Sequence, residues 1–248
     1  MSGSLAREAR RIPLTGSTFI RTLAALDAVP VPSAPDAFAQ RLARWFDWTQ
    51  AFSLSAALGD ASARADVPMF GGQGALAEDE REFARVRAQL AKAIADAPTG
   101  AVTTRRVARP RKDTVAPPTE MPADFATYRQ RYATCQLAME TQVVPLRRRL
   151  RSTLADRSAR AAKLAELDTV MEQVIGAQER ALLGTVAGRL EARFDQLRSA
   201  SSDAATPAGP WLERFHHEMR GLLLAELDLR LQPCEGLLQA CRQSLNRP

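Results

Sequence analysis

The chain has 248 residues, of which 46% are apolar and 25% carry a charge, and its formal net charge is +6. This is ordinary globular usage, which excludes a wholly disordered protein. No apolar run approaches the roughly 20 residues that a transmembrane helix needs, so we expect no membrane insertion. The basic N-terminus is not followed by an apolar segment, and the cysteines are an odd three. The sequence thus predicts neither a signal peptide nor a disulfide framework, and we expect a cytoplasmic protein.

The commonest residue types are those that favour helices. Ala, Leu and Arg dominate, whereas Val occurs 12 times and Ile 4 times. Helices favour Ala, Leu and Arg because these side chains lose little conformational freedom there, while strands favour β-branched residues. The composition therefore predicts an all-α fold.

Short amphipathic helices alternate with breaks in the first part of the chain. A first helix is predicted after Ser17, and the prolines of residues 29–32 end it, because proline cannot continue a helix. Its apolar side is formed by Phe19, Ile20, Leu23 and Leu26. Further helices are predicted over residues 35–46, around residues 52–58, and over residues 75–97.

Residues 98–122 have the composition of a linker. They contain five prolines and no apolar periodicity, so we expect them to bury too little surface to become ordered. The sequence therefore predicts three parts: a small N-terminal helical unit (1–97), a disordered linker (98–122) and a C-terminal helical bundle (123–248).

Three apolar stripes mark the C-terminal part. The first, over residues 125–154, has an average spacing close to 3.6, and Pro145 is expected to kink it or to begin a new helix. The second, over residues 164–197, predicts another long helix. The third, over residues 211–245, predicts a helix that breaks near Pro233. One apolar stripe on each helix predicts an antiparallel three-helix bundle or coiled coil.

Histidine and cysteine do not occur in a recognisable catalytic or metal-binding pattern. His216, His217 and Glu218 are consecutive, and adjacent residues point about 100° apart on a helix, so they do not share the face that a helical zinc site needs. Cys234 and Cys241 are seven residues apart, but two thiols are too few for structural zinc. We therefore expect no enzymatic activity, no metal and no cofactor.

The alternative function is that of a nucleic-acid-associated regulator that uses the basic linker and the N-terminal helices, and the sequence contains two basic clusters. One lies in the linker and comprises Arg105, Arg106, Arg109, Arg111 and Lys112. A flexible arginine-rich stretch can neutralise phosphates without reading bases, so this cluster could contact nucleic acid or an acidic partner. The other cluster, within residues 147–151, can equally be the solvated face of a helix.

The favoured function is that of a non-enzymatic helical adaptor or assembly protein. Long apolar stripes in a sequence that has no recognisable catalytic or metal-binding pattern are typical of chains that bind partner helices. The second stripe supplies a candidate partner face, made of Leu164, Leu167, Met171, Leu182, Leu190 and Phe194. We expect the protein to bind one or more protein partners and to self-associate.

Four short motifs near the N-terminus resemble a known family. They are residues 14–21 (Leu-Thr-Gly-Ser-Thr-Phe-Ile-Arg), 38–42, 45–49 (Trp-Phe-Asp-Trp-Thr) and 54–58. This pattern resembles an uncharacterised family of proteobacterial proteins, a domain of unknown function of similar length, and the resemblance is clearest over residues 14–58. It implies no activity, cofactor or catalytic residue. For partners, it points to an envelope-associated assembly in bacteria.

Overall fold

The computed structural model describes residues 17–27, 55–56, 73–96, 124–201 and 209–245. Six helices are defined within these ranges: α1 (Thr18–Asp27), α2 (Gln73–Asp96), α3 (Phe125–Ala155), α4 (Ala159–Gly184), α5 (Val186–Ala200) and α6 (Gly209–Leu245). No strand occurs in this part of the chain, so the prediction of an all-α fold is confirmed.

The 37-residue helix α6 is the centre of the bundle, because it contacts each of the other five helices. The 31-residue helix α3 packs along it and also contacts α2, α4 and α5. Each large apolar side chain that leaves water stabilises the fold by about 1.5–3 kcal/mol. The largest of the fully buried side chains are Leu90, Tyr132, Met139, Leu150, Leu154, Leu190, Phe194, Phe215, Met219, Leu222, Leu223 and Leu227.

Helices from before and after the predicted linker share this core. Phe19 and Leu26 of α1 are buried in the same cluster as the core residues of α3 and α6. Val86, Leu90 and Ile94 of α2 are buried there too. The N-terminal helices therefore complete the C-terminal bundle by covering apolar surface on α6.

Helix α3 follows its predicted stripe. The Asp124 side chain caps the helix, because its Oδ1 accepts a hydrogen bond from the backbone N–H of Ala126 at 3.0 Å. Pro145 lies inside α3 and does not begin a new helix. A proline removes only one backbone hydrogen bond, and burial on both sides of it holds the helix to the core. The buried residues are Phe125, Tyr132, Met139, Val143, Leu146, Leu150 and Leu154.

The break predicted near Pro233 is wrong. Helix α6 runs through Pro233 from Gly209 to Leu245. The proline leaves the backbone carbonyl of Leu229 without its usual N–H donor. Leu231 and Cys234, on either side of the proline, are buried at 1% and 0% exposure, so packing against the core outweighs that loss.

The second stripe forms two helices, so the single helix predicted over residues 164–197 is wrong. Helix α4 ends at Gly184 and α5 begins at Val186, with Thr185 between them. The Thr185 hydroxyl donates to the carbonyl of Leu182 at 2.7 Å. Glycine in a helix interior is less stable than alanine there. A threonine hydroxyl can also take the place of a backbone N–H as the donor to a helical carbonyl. The described residues from 124 onwards therefore form four helices, α3 to α6, where three were predicted.

The other predicted elements are only partly described. Helices α1 and α2 lie where the sequence predicts them. The helices predicted over residues 35–46 and around residues 52–58 lie outside the described residues, except that residues 55–56 are helical. The predicted linker, residues 98–122, lies outside them as well.

Candidate functional site

An apolar groove lies on the surface between α1, α3, α4 and α6. Its volume is about 400 Å³, within the range of roughly 300–1,000 Å³ that is typical of binding clefts. All four helices contribute apolar side chains to it, namely Ile20, Val144, Met171, Ile175, Leu182 and Leu229. We call this surface the apolar groove. It is large enough to accept the anchor side chains of a bound segment.

Three large apolar side chains of the groove are exposed to solvent. Ile20, Val144 and Leu182 are 40%, 39% and 57% exposed. A single exposed apolar residue is ordinary, but several around one concave surface are typical of an interaction site. Leu137, which is 61% exposed, lies two turns before Val144 on the same face of α3. It extends the exposed apolar surface along that helix.

Some charges that line the groove are neutralised within the chain. Arg147 donates two hydrogen bonds to the carboxylate of Asp168, at 2.9 and 2.7 Å. Arg230 donates to Glu226 at 3.0 Å. These guanidinium groups support the walls of the groove and are not available as charged contacts for a ligand.

Three other charged side chains line the groove, namely Glu140, Glu179 and Arg180. Among the described residues, none of the three has an ion-pair partner. Charges of both signs therefore surround the apolar centre without a partner in the part of the chain that the structure describes.

A carboxylate is buried one turn before Arg230. Glu226 is 0% exposed, and it accepts hydrogen bonds from the Tyr132 hydroxyl at 2.5 Å and the Gln136 amide at 3.1 Å. The hydrogen bond from Arg230 completes its shell, which offsets the cost of burying a charge. Burial raises the pKa of Tyr132, and the carboxylate of Glu226 raises it further, so Tyr132 stays a donor. This network joins α3 to α6.

An ion-pair cluster joins α3 to α4. Arg147 and Arg151 of α3 face Asp168 and Glu172 of α4. Burial works to raise the pKa of Asp168, but the hydrogen bonds from both arginines outweigh it and hold that pKa below its ordinary value. The cluster fixes the α3–α4 wall of the apolar groove.

The basic cluster on α3 is mostly committed to ion pairs. Two of its four arginines belong to the α3–α4 cluster, and Arg149 donates to Asp79 at 2.7 Å and pairs with Glu78 at 3.0 Å. Arg148 is exposed. Because most of these groups have carboxylate partners, this cluster is not a ready surface for phosphates. The linker cluster, residues 105–112, lies outside the described residues.

The two histidines and the following glutamate have separate surroundings. His216 is buried, with its Nε2 3.1 Å from the hydroxyl of Tyr128, whereas His217 is exposed. Burial lowers the pKa of His216, and neighbouring arginines lower it further. Glu218 accepts two hydrogen bonds from Arg193, both at 2.7 Å. These side chains do not converge on one point where a metal could bind.

The cysteines are free thiols. Cys234 and Cys241 are buried, and Cys135 is half-buried. Burial raises the pKa of Cys234 to about 12, so this thiol stays protonated and packs as an apolar group. The described residues hold no group of His, Cys, Asp and Glu suited to a metal ion. None of the described helices is long and apolar enough to span a membrane.

The fold divides the partner face that the sequence suggested. Leu190 and Phe194 are each 1% exposed and lie in the core, so they pack within the chain and are not available to a partner. Leu164 and Leu182 are 45% and 57% exposed. Of the remaining members, Met171 lies in the apolar groove with Leu182. The break at Thr185 explains this division, because it places α5 against the core.

The contributions of α1 and α3 to the groove were not identified from the sequence. Ile20 belongs to the apolar side predicted for α1, but nothing local indicates that α1 docks beside α4. Val144 lies next to Val143 on the first stripe. That adjacent apolar pair was the one available signal, because neighbouring side chains point about 100° apart on a helix and Val144 lies beside the stripe that Val143 belongs to.

Comparison with known families gives one match. A family model described as protein of unknown function, DUF3348, matches residues 5–243. The chain belongs to this family. The match confirms the resemblance, which is clearest over residues 14–58, and it covers nearly the whole chain. The comparisons with curated proteins and with solved structures each found no similar protein.

Proposed function

We propose that this member of the family is a non-enzymatic helical assembly protein, and that it binds an amphipathic helix of a protein partner in the apolar groove. One observation carries the proposal: exposed Ile20, Val144 and Leu182 come together from three helices around one groove of about 400 Å³. Apolar groups left in water at a concave surface gain free energy when a partner covers them. We propose the cytoplasm as its location.

The shape of the groove suits a helical partner. Helix-in-groove recognition places apolar side chains at positions i, i+3 or i+4, and i+7 of the bound helix into an apolar cleft. Helices on both sides of the groove are held by the α3–α4 ion-pair cluster and the buried Glu226 network, so the walls are fixed before a partner binds. A preformed surface loses little entropy on binding.

The rim favours a partner with charges of both signs. Glu140, Glu179 and Arg180 surround the apolar centre without ion pairs to other described residues. An amphipathic helix carries charged residues beside its apolar stripe, so it could pair with both kinds of group. A polyanion such as nucleic acid would instead be repelled by the two acids.

The proposal is tested by a pull-down of the tagged protein from its native cells after nuclease treatment, read by mass spectrometry. The wild-type protein is expected to retain one or two stoichiometric partners. Leu182→Glu places a charge in the groove and should remove them. Leu164→Glu is the matched control, because it lies 18 residues earlier on the same helix, about 27 Å away, and should retain them.

Two outcomes would contradict the proposal. One is equal loss of partners in both variants, which would indicate that the groove is not the contact. The other is loss of every partner on nuclease treatment alone. That result would favour the alternative function, nucleic-acid association through residues 105–112.

A further inference from the structure

We propose that His216 is an acid-sensitive switch in α6. While its ring is neutral, the ring holds the first turns of α6 against α3, and when the ring takes up a proton this contact opens. The switch is separate from the proposed function, because His216, Tyr128 and Phe215 do not line the apolar groove.

The ring of His216 lies at the edge of an aromatic cluster. Neighbouring ring centroids of this cluster are 5.1–6.3 Å apart, and its members are Phe125, Tyr128, Phe194, Trp211 and Phe215. His216 is 7% exposed, and its ring centroid lies 5.3 Å from that of Tyr128 and 6.3 Å from that of Phe215. A charge on a buried ring loses its hydration, so this position favours the neutral imidazole.

The polar contact of the ring also suits the neutral form. Nε2 of His216 lies 3.1 Å from the hydroxyl of Tyr128. Burial raises the pKa of that hydroxyl, so it keeps its hydrogen and can donate it. A neutral imidazole has one nitrogen that accepts a hydrogen bond, whereas a protonated ring has only donors. Protonation therefore removes the acceptor for this hydroxyl.

The charged groups around the ring oppose a proton on it. On α6, Arg220 lies one turn after His216 and Glu213 lies one turn before it. On α3, Arg131 lies one turn after the tyrosine that contacts the ring. Helix α2 adds the backbone carbonyl of Ala95, which accepts a hydrogen bond from Arg220 at 2.8 Å. The two guanidinium groups outweigh the one carboxylate, so the local field is unfavourable to an imidazolium.

The direction of the switch follows from these surroundings. Burial lowers the pKa of His216, and Arg131 and Arg220 lower it further. The opened form, in which the ring is hydrated, has the ordinary histidine pKa of about 6.5 and so binds the proton first as the pH falls. The contribution of His216 to the closed form is therefore complete above about pH 6.5 and is lost as the pH falls through the lower pKa of the closed form.

Hydrogen–deuterium exchange of the full chain measures the opening directly. Backbone amides of residues 209–220 are followed at about pH 7.5 and about pH 5.5, and each rate is divided by the intrinsic exchange rate at that pH. In the wild-type protein, the opening equilibrium of this segment should rise by up to about tenfold at the lower pH, because the opened form takes up one proton with a pKa of about 6.5. A wild-type protein without this rise would overturn the inference.

The adjacent histidine supplies the matched control. His216→Gln keeps a polar side chain but cannot take up a proton in this pH range, so its opening should be the same at both pH values. His217→Gln removes the exposed neighbouring histidine and should retain the wild-type rise. An equal rise in His216→Gln, or loss of the rise in His217→Gln, would overturn the inference.

An NMR titration tests the switch even if His216→Gln does not fold. The chain contains two histidines, so the only imidazole signals of His217→Gln come from His216 and assign that ring in the wild-type spectrum. The His216 ring should titrate below the ordinary histidine value of about 6.5, and its protonation should accompany the opening of residues 209–220. A His216 ring that titrates at or above that value would overturn the inference.

Discussion

Tyr132 in α3 donates a hydrogen bond to Glu226 in α6, with 2.5 Å between Tyr132 Oη and Glu226 Oε2. The two residues are 1% and 0% exposed, so this contact lies inside the core between the two longest helices. Glu226 could not be buried without a hydrogen-bond donor, because a lone carboxylate in the core would have to be neutralised or hydrated. The pair therefore sets how α3 and α6 align.

Replacing the tyrosine tests this relationship. Tyr132→Phe keeps the ring but leaves the carboxylate of Glu226 without one donor, so we expect the free energy of unfolding to fall by about 1.5–3 kcal/mol. Tyr128→Phe, at a half-buried tyrosine, is the matched control and should lower the free energy of unfolding by less. Urea unfolding measures both. An equal effect of the two substitutions would show that the buried hydroxyl has no special role.

The lowered pKa of Asp168 predicts how stability depends on pH. Since its folded pKa lies below the ordinary value of about 3.9, the unfolded chain binds the proton first as the pH falls. The stabilisation from this carboxylate is therefore complete above about pH 4 to 5 and is lost as the pH falls through the folded pKa.

Asp168→Asn removes that titration. The free energy of unfolding should fall by about 1–3 kcal/mol at pH 7, because Arg147 and Arg151 lose a carboxylate that each of them contacts. The difference from the wild-type protein should shrink below pH 4. Asp195→Asn is the control, since it breaks an exposed pair with Arg198 that is worth about 0–1 kcal/mol. A difference that grows as the pH falls would contradict this account.

Two leucines of the second stripe distinguish core from surface. Leu190 is 1% exposed and Leu164 is 45% exposed. Leu190→Ala leaves a cavity, so we expect the free energy of unfolding to fall by about 2–5 kcal/mol. Leu164→Ala should change it by less than about 1 kcal/mol. Thermal or urea unfolding compares them. Similar losses at both positions would show that α4 and α5 are not arranged as described.

Replacing a proline inside a helix should stabilise this protein. Pro145 is exposed and leaves the carbonyl of Thr141 without its N–H donor. Pro145→Ala restores this donor and introduces a residue that favours helices. The free energy of unfolding should therefore rise, by at most about 3 kcal/mol. The gain should appear as a higher urea midpoint with an unchanged slope. A lower midpoint would mean that the ring makes contacts that outweigh the lost hydrogen bond.

The sequence predicted helices well where periodicity alone decides them. The stripe from Phe125 to Leu154 is buried along its length, because spacing near 3.6 places those residues on one face. Local rules failed where tertiary packing decides the outcome. Pro233 should end a helix by its own chemistry, but Leu231 and Cys234 hold both sides of it to the core. Thr185 divides a stripe whose spacing gives no sign of a break.

The candidate site was the least predictable part. The apolar groove takes Ile20 and Leu182 from helices far apart in the chain, and no local pattern states which helices become neighbours. The same holds for Glu226, which lies among leucines in α6 and reads locally as one polar residue in an apolar stretch. Its partner Tyr132 comes from α3, 94 residues away along the chain.

The central claim, that the apolar groove contacts another protein, is tested most directly by photo-crosslinking in the native cell. A photoreactive amino acid is placed at Leu182, in the groove, and in a separate variant at Leu164, outside it. The account predicts one discrete crosslinked product from position 182 and none from position 164. No product from position 182, or the same products from both positions, would contradict it.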